Sequence, residues 1–281
     1  MTVSATVLVA LAVGSFGLLI GSFLNVVVYR VPAGLSLVAP PSACPNCGSR
    51  IRVFDNIPIV SWLLLRGRCR NCDESISARY PAVEASTAIV FAGVAWGVTI
   101  SLPASASSNR AVMTIIGGLA LLYLAAISVA LLLIDIDVHK LPNSIVLPAY
   151  LVGAALLTVA SLANGRPDLL LGAAIGMAAM FVGYLLMALA YPGGMGLGDV
   201  KLAGVLGLYL GWTGWGALIV GFISAFVLGG IYSLVLIITK RANRKSGIPF
   251  GPWMLVGAWL GIAVGNTFFN SYLSFFGLPA I

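Results

Sequence analysis

The sequence predicts an all-α polytopic membrane protein of about eight transmembrane helices, with a soluble insert between the first two. Three observations carry this. Sixty per cent of the 281 residues are apolar and only 8% are charged, whereas a soluble domain carries about a quarter charged residues. The charges cluster, leaving uncharged runs at 1–29, 85–109, 111–134, 141–165, 169–198, 202–239 and 246–281. A bilayer core takes roughly 20 apolar helical residues to cross, so each run can span. Residues 30–80, rich in Arg, Pro and Cys, contain no such run.

In chain order, helices are expected near 4–28, 82–102, 111–134, 143–163, 169–191, 199–211, 215–239 and 250–275. Polar breaks fall at 103–110, 135–142, 164–168, 191–198, 211–216 and 240–249. The domain division is a first transmembrane helix at 1–29, the insert at 30–81 and a seven-helix membrane domain at 82–281. The span at 199–211 is the weakest, because about 13 residues at 1.5 Å each fall short of a 30 Å core.

Charge placement sets the expected orientation. Seven of the fifteen basic residues lie between Arg30 and Arg79, and four more are Lys240, Arg241, Arg244 and Lys245. Lys and Arg beside spans mark cytoplasmic loops, so the net charge of +7 reports topology rather than nucleic-acid binding. Both loops being cytoplasmic requires an even number of spans between them, which keeps 199–211 as a short or tilted span. Residues 1–29 have no basic residue ahead of the apolar stretch, and that stretch is too long for a signal core. They read as a retained helix with the N-terminus outside.

All four cysteines lie in the insert, as Cys44-Pro45-Asn46-Cys47 and Cys69-Arg70-Asn71-Cys72, with 21 residues between the pairs. Two C-x-x-C knuckles at this separation suit a tetrahedral zinc site with four thiolate ligands. Disulfides are the alternative for an even count, but a cytoplasmic loop is reducing. Four thiolates close the coordination sphere, so the expected zinc is structural. A fifty-residue insert has little core of its own, and metal supplies a reason for it to fold.

Of the eight acidic residues, Asp55, Asp73, Glu74 and Glu84 belong to the insert and its exit. Asp168 lies beside Arg166 and reads as a solvated loop charge. Asp135, Asp137 and Asp199 remain, at the ends of apolar helices where ionisable groups are costly and functional by default. Topology puts all three at the cytoplasmic face. Two carboxylates sharing a site cannot both ionise cheaply, so one stays protonated while its partner activates water, the aspartyl-protease arrangement. Glycines before Asp199 permit close backbone approach and a flexible helix start. A blander reading stays open: Asp135, Asp137, His139 and Lys140 as a polar loop, with Asp199 paired to Lys201 or capping a helix N-terminus.

These residues together resemble the type IV prepilin peptidases, the bifunctional leader peptidase and N-methyltransferase family. The resemblance runs through Gly21-Ser22-Phe23-Leu24-Asn25 to Tyr29-Arg30, both C-x-x-C pairs, Asp55-Asn56-Ile57-Pro58, Ser61-Trp62, Leu65 to Cys69, and Arg79 to Glu84. It continues through Asp135 with Pro142-Asn143, through Gly196-Leu197-Gly198-Asp199 (a GxGD motif), and through Ile248 to Pro252. The resemblance implies catalytic roles for Asp135 and Asp199, with spacing to Pro142-Asn143 favouring Asp135 over Asp137. The family often carries Asp at the position of Asn143, which is given no catalytic role.

The implied substrate is the N-terminus of a type IV prepilin or pseudopilin, cut at the cytoplasmic face of a prokaryotic inner membrane. Methylation of the new N-terminus from S-adenosylmethionine would follow. For that half, the resemblance points to Asn56-Ile57-Pro58, Arg79 and above all Glu84, whose competing role is an ion pair with Arg79 or an insert arginine. A different class also stands against the enzyme, a transporter or assembly scaffold with a structural zinc domain. It would place the acids near the bilayer midplane.

Overall fold

The computed structural model describes residues 3–102, 108–163, 165–191, 193–241 and 248–279. Its helices are α1 (Val3–Arg30), α2 (Val60–Leu64), α3 (Arg79–Ile100), α4 (Ser108–Val138), α5 (Asn143–Ala163), α6 (Asp168–Ala190), α7 (Leu197–Thr213), α8 (Trp215–Ile238), α9 (Gly251–Leu260) and α10 (Asn266–Phe275). A π-helical turn, Gly261–Gly265, joins α9 to α10, so the two form one long segment with a bulge in it. The chain divides into two compact units, Met1–Ala130 and Leu131–Ile281.

Among the described residues seven helices are long and apolar enough to cross a membrane, rather than eight. The shortfall is α7, whose 17 residues extend about 25 Å. Its burial explains how so short a helix is accommodated. Val200 and every residue from Leu202 to Gly211 are buried, so α7 meets protein on all sides. The other long helices turn large apolar side chains outward, for example Leu8, Leu11, Phe16 and Leu19 on α1. That inverted surface is what a hydrocarbon solvent calls for.

Lipid and leucine are equally apolar, so helices in a bilayer associate through close backbone packing, which small residues permit. In the C-terminal unit Gly172 and Gly176 on α6 face Gly207 and Gly211 on α7. These are two G-x-x-x-G stripes meeting, and a Cβ on Gly176 or Gly207 would run into the opposing carbonyl. Gly257, Gly261 and Gly265 pack the same way on α8 around Ala217, Gly221 and Ala225. In the N-terminal unit Gly14, Gly17 and Gly21 on α1 meet Ala88, Phe91, Glu84 and Thr87 on α3.

The α7–α8 turn also closes its hydrogen-bond account. Asn266 donates to the Thr213 carbonyl at 2.9 Å and accepts from the Ala217 amide at 3.0 Å, filling groups that a helix break leaves open.

Helix starts and ends follow the expected ranges closely, with one consequential difference. Residues 135–138 belong to α4 and are not part of a polar break. Asp135 and Asp137 are therefore on the last turns of a helix, whose twist sends neighbouring side chains in different directions. Of the basic loop after α8, Lys240 and Arg241 are described, whereas Arg244 and Lys245 lie outside the described residues. The expected breaks at 103–110, 164–168 and 191–198 likewise fall partly outside them.

Candidate functional site

The C-terminal unit gathers three segments around a carboxylate pair. Asp135 is 5% exposed, whereas Asp137, two residues on along the same helix, is exposed. The Asp135 carboxylate accepts a hydrogen bond from the Gly251 amide at 3.1 Å, the first amide of α9. A helix N-terminus offers unpaired N–H groups and a positive dipole end to an anion. Gly251 is required there by space: a Cβ would stand 2.6 Å from Asp135 Oδ2.

Asp199 sits in the first turn of α7, its Oδ2 accepting from the Gly196 amide at 3.1 Å. The cap anticipated for Asp199 is therefore present, but it points back at the GxGD loop. Gly196 has φ −79° and an added Cβ would make only ordinary contact, 3.4 Å from Asp199 Oδ2, so its contribution here is the amide. The tight position is Gly198, where a Cβ would stand 3.1 Å from Leu141 Cβ. Leu141 links the segments, its side chain lying against Gly198 and against Gly251. The Leu141 side chain thus lies between the Gly251 amide that holds Asp135 and the turn that carries Asp199. Lys201 does not neutralise Asp199 directly; its ammonium donates to Asn143 Oδ1 at 3.1 Å. Tyr150 adds a second tie between α5 and α7, donating to the Lys201 carbonyl at 2.6 Å.

His139 is an exposed residue with φ 51°, its amide bonded to the Asp135 carbonyl at 3.0 Å. It ends the helix, as a loop residue would. Asp168 pairs with Arg166 at 2.8 Å, both side chains over half exposed, an arrangement worth little.

In the N-terminal unit the four cysteine sulfurs lie within 4.8 Å of one another, with Cys44 and Cys72 at 3.7 Å. Tetrahedral Zn–S bonds of about 2.3 Å require sulfurs roughly 3.8 Å apart. The cluster therefore fits a tetrahedral ion, and the cysteines are free thiols rather than disulfides. Each knuckle is a small antiparallel turn. Ala43 bridges Arg50 around the first and Arg68 bridges Ser75 around the second. The fourth residue after each leading cysteine is left-handed, Gly48 at φ 69° and Asp73 at φ 56°. Hydrogen bonds from Ser49, hydroxyl first and backbone second, bring the Cys47 thiol down to about 6. The amides of Asn71 and Cys72 lower Cys69. Both favour the thiolate that a metal takes.

The insert around the cluster is held by side chains. Arg70 forks onto Asp55, holding that carboxyl below its usual range by hydrogen bond and charge, and lies 5.4 Å over the Phe54 ring. Trp62 donates to the Ile76 carbonyl at 3.0 Å. Glu84 on α3 is buried and accepts from the Ile59 amide at 2.7 Å. Ile59 has φ 59°, a conformation costly for a β-branched residue that the surroundings must enforce. Ser61 braces the same turn, donating to the Phe54 carbonyl at 2.7 Å and accepting from the Ile57 amide at 3.1 Å.

Sequence reasoning brought Asp135, Asp199 and the cysteines forward. It gave Gly251, Leu141 and Ile59 no individual role. Gly251 had a signal, a Phe-Gly-Pro step opening an apolar run; Leu141 and Ile59 had none.

Fold and site together define a class: a multi-pass helical membrane protein with a carboxylate pair in its C-terminal unit and a four-thiol cluster in its N-terminal unit. The family model for the bacterial peptidase A24 N-terminal domain matches residues 15–98, and that for the type IV leader peptidase family matches residues 120–234. Prepilin leader peptidase/N-methyltransferases are similar along nearly the whole chain. That of Stutzerimonas stutzeri is 35% identical, the match covering 92% of each chain. That of Pseudomonas putida is 34% identical over 93% of this chain and 92% of its own. That of Neisseria gonorrhoeae is 35% identical over 87% and 86%. No solved structure gives a significant match. The chain belongs to the type IV leader peptidase family.

Proposed function

We propose that this enzyme cleaves the leaders of type IV prepilins or pseudopilins at the cytoplasmic face of a prokaryotic inner membrane, with Asp135 and Asp199 as the catalytic pair. The observation that supports this reading best is the buried Asp135, tied to the Gly251 amide beside the same Leu141 side chain that packs on Gly198 of the turn carrying Asp199. One carboxylate takes the proton of a water that attacks the scissile carbonyl; the other, protonated, donates to the carbonyl oxygen. α7 serves as the eighth span, its N-terminus, the insert and the basic loop after α8 all cytoplasmic.

Residues 1–29, 30–81 and 82–281 act as anchor, methyl-transfer region and protease. Cys44, Cys47, Cys69 and Cys72 hold a structural zinc. S-adenosylmethionine, when bound, supplies the methyl group for the new N-terminus. Glu84 serves that site by pinning the strained Ile59 turn beside Asn56–Pro58, with a positioning rather than a ligating role.

Incubating the purified enzyme with a prepilin, with and without S-adenosylmethionine, and weighing the product separates the two activities. The expected products are the truncated pilin alone and the truncated pilin heavier by one methyl group. Glu84→Leu, which removes the acceptor for the Ile59 amide, is expected to keep cleavage and lose most methylation, and wild-type methylation by that variant would remove Glu84 from the site. Transport without cleavage would favour the scaffold reading. Metal analysis is expected to find about one zinc per chain, lost on paired Cys44→Ser and Cys72→Ser substitution. A folded, metal-free wild-type protein would refute the zinc site.

A further inference from the structure

We propose that α2 is seated on lipid, on the side of the membrane where α1 ends and α3 begins. Val60, Leu63 and Leu64 enter the boundary between headgroups and acyl chains, and Arg66 and Arg68 meet anionic headgroups beside them. This needs only that α1 and α3 span, whatever the roles of the aspartates.

The depth of α2 is set by Glu84. Helix α3 has 22 residues, about 33 Å, and a hydrocarbon core is about 30 Å thick, so a span by α3 uses nearly its whole length. Glu84 lies about 8 Å along it from Arg79, packed against α1. A Cβ on Gly21 would stand 2.7 Å from Glu84 Cα, and Asn25 donates to the Tyr80 carbonyl at 3.2 Å. The Glu84 side chain reaches back toward the helix start and accepts from the Ile59 amide, the residue before α2. The insert is therefore tied down at the level of the first turns of α3, at the headgroup boundary.

At that level α2 turns an apolar stripe outward. Its inner side is occupied: Ser61 is buried and bonded to the Phe54 carbonyl, while Trp62 donates to the Ile76 carbonyl and lies over Gly67. Helix residues three and four apart share a face, so Val60, Leu63 and Leu64 form the opposite stripe. Leu63 is 60% exposed and Leu64 78%. In a water-facing domain such a stripe invites association; among headgroups it is at home.

Charge selects the occupant. From Arg50 to Arg70 the chain carries five arginines against Asp55 alone, and Arg70 already engages Asp55. Arg66 and Arg68 directly follow α2, are exposed and form no ion pair among the described residues. An apolar stripe followed by free cations matches an anionic leaflet. A purely apolar partner would match the leucines and leave the arginines without a counter-ion.

The test is photo-crosslinking in the full-length enzyme, reconstituted in nanodiscs of phosphatidylcholine alone or mixed with phosphatidylglycerol at roughly 3:1. p-Benzoylphenylalanine replaces Leu64 or, as the reference for lipid contact, the exposed Leu19 of α1. Adducts are read by the mass of the intact protein, with Tm checked against wild type. Leu64 is expected to take up lipid as readily as Leu19, and more in the anionic discs. Arg66→Gln with Arg68→Gln should cut the Leu64 adduct about twofold or more in anionic discs and leave it unchanged in neutral ones. A lipid adduct at Leu19 with none at Leu64 overturns the proposal. So does a Leu64 adduct that shifts from lipid to prepilin when prepilin is added, which would make the stripe a substrate surface. Leu64 labelling indifferent to both phosphatidylglycerol and the two arginines overturns the choice of an anionic leaflet.

Discussion

Asp135→Asn and Asp199→Asn are each expected to lower leader cleavage by on the order of 10²–10⁴-fold, the usual contribution of a positioned acid or base, while Asp137→Asn should keep measurable activity. The contrast follows from where α4 ends. Three acids crowd the sequence around two helix ends, but only Asp135 is turned inward on α4, 5% exposed and bonded to a buried amide. Asp137 points outward from the same helix. An asparagine keeps the shape and accepts from Gly251 or Gly196 through its carbonyl, so folding is preserved while proton transfer is lost. The losses in the single variants should not add in the double variant, because the two groups act as a unit. Prepilin cleavage followed on a gel or by mass decides it. Full processing by either Asp135→Asn or Asp199→Asn would end the assignment of that residue, and an inactive Asp137→Asn would move the first acid two residues along.

What could be read in advance was whatever depends on local pattern. Eight helices were legible because hydropathy is a property of consecutive residues, and the four cysteines because their spacing is short and regular. The status of α7 was only half legible. Its length argued against a span and parity argued for one, but the burial of Val200 and of Leu202 to Gly211 depends on which helices surround it. The stripes Gly172-x-x-x-Gly176 and Gly207-x-x-x-Gly211 were present in the sequence as the physical reason for that burial. In a chain with 33 glycines the spacing alone does not say which pair of helices will meet.

The site divides the same way. Asp199 came with its glycines attached, and their use proved to be room for Leu141 and an amide for the carboxylate rather than an unusual backbone angle. Glu84 was legible as an acid at the exit of the insert, but the Ile59 amide it accepts from lies 25 residues away. The sequence offered arginines as partners because charges are visible in a sequence and backbone amides are not.

Gly251→Ala is the most informative substitution away from the acids themselves. Its amide would remain, yet the new methyl would stand 2.6 Å from Asp135 Oδ2 and 3.5 Å from Leu141 Cδ2, so the carboxylate must move. Displacement of a catalytic group by about 1 Å costs on the order of 10²-fold, and overpacking here adds about 1–3 kcal/mol of destabilisation. The bond spans 116 positions of sequence, so no local rescue can restore it. Gly230→Ala, on α8 with nothing within 4 Å of the added Cβ, serves as the matched control and should cleave like wild type. The two variants are compared by kcat at saturating prepilin and by Tm. A drop in kcat much larger than the loss of stability explains would establish the α9 N-terminus as the seat of Asp135. Unimpaired cleavage by Gly251→Ala would mean that Asp135 works in an orientation the Gly251 amide does not hold.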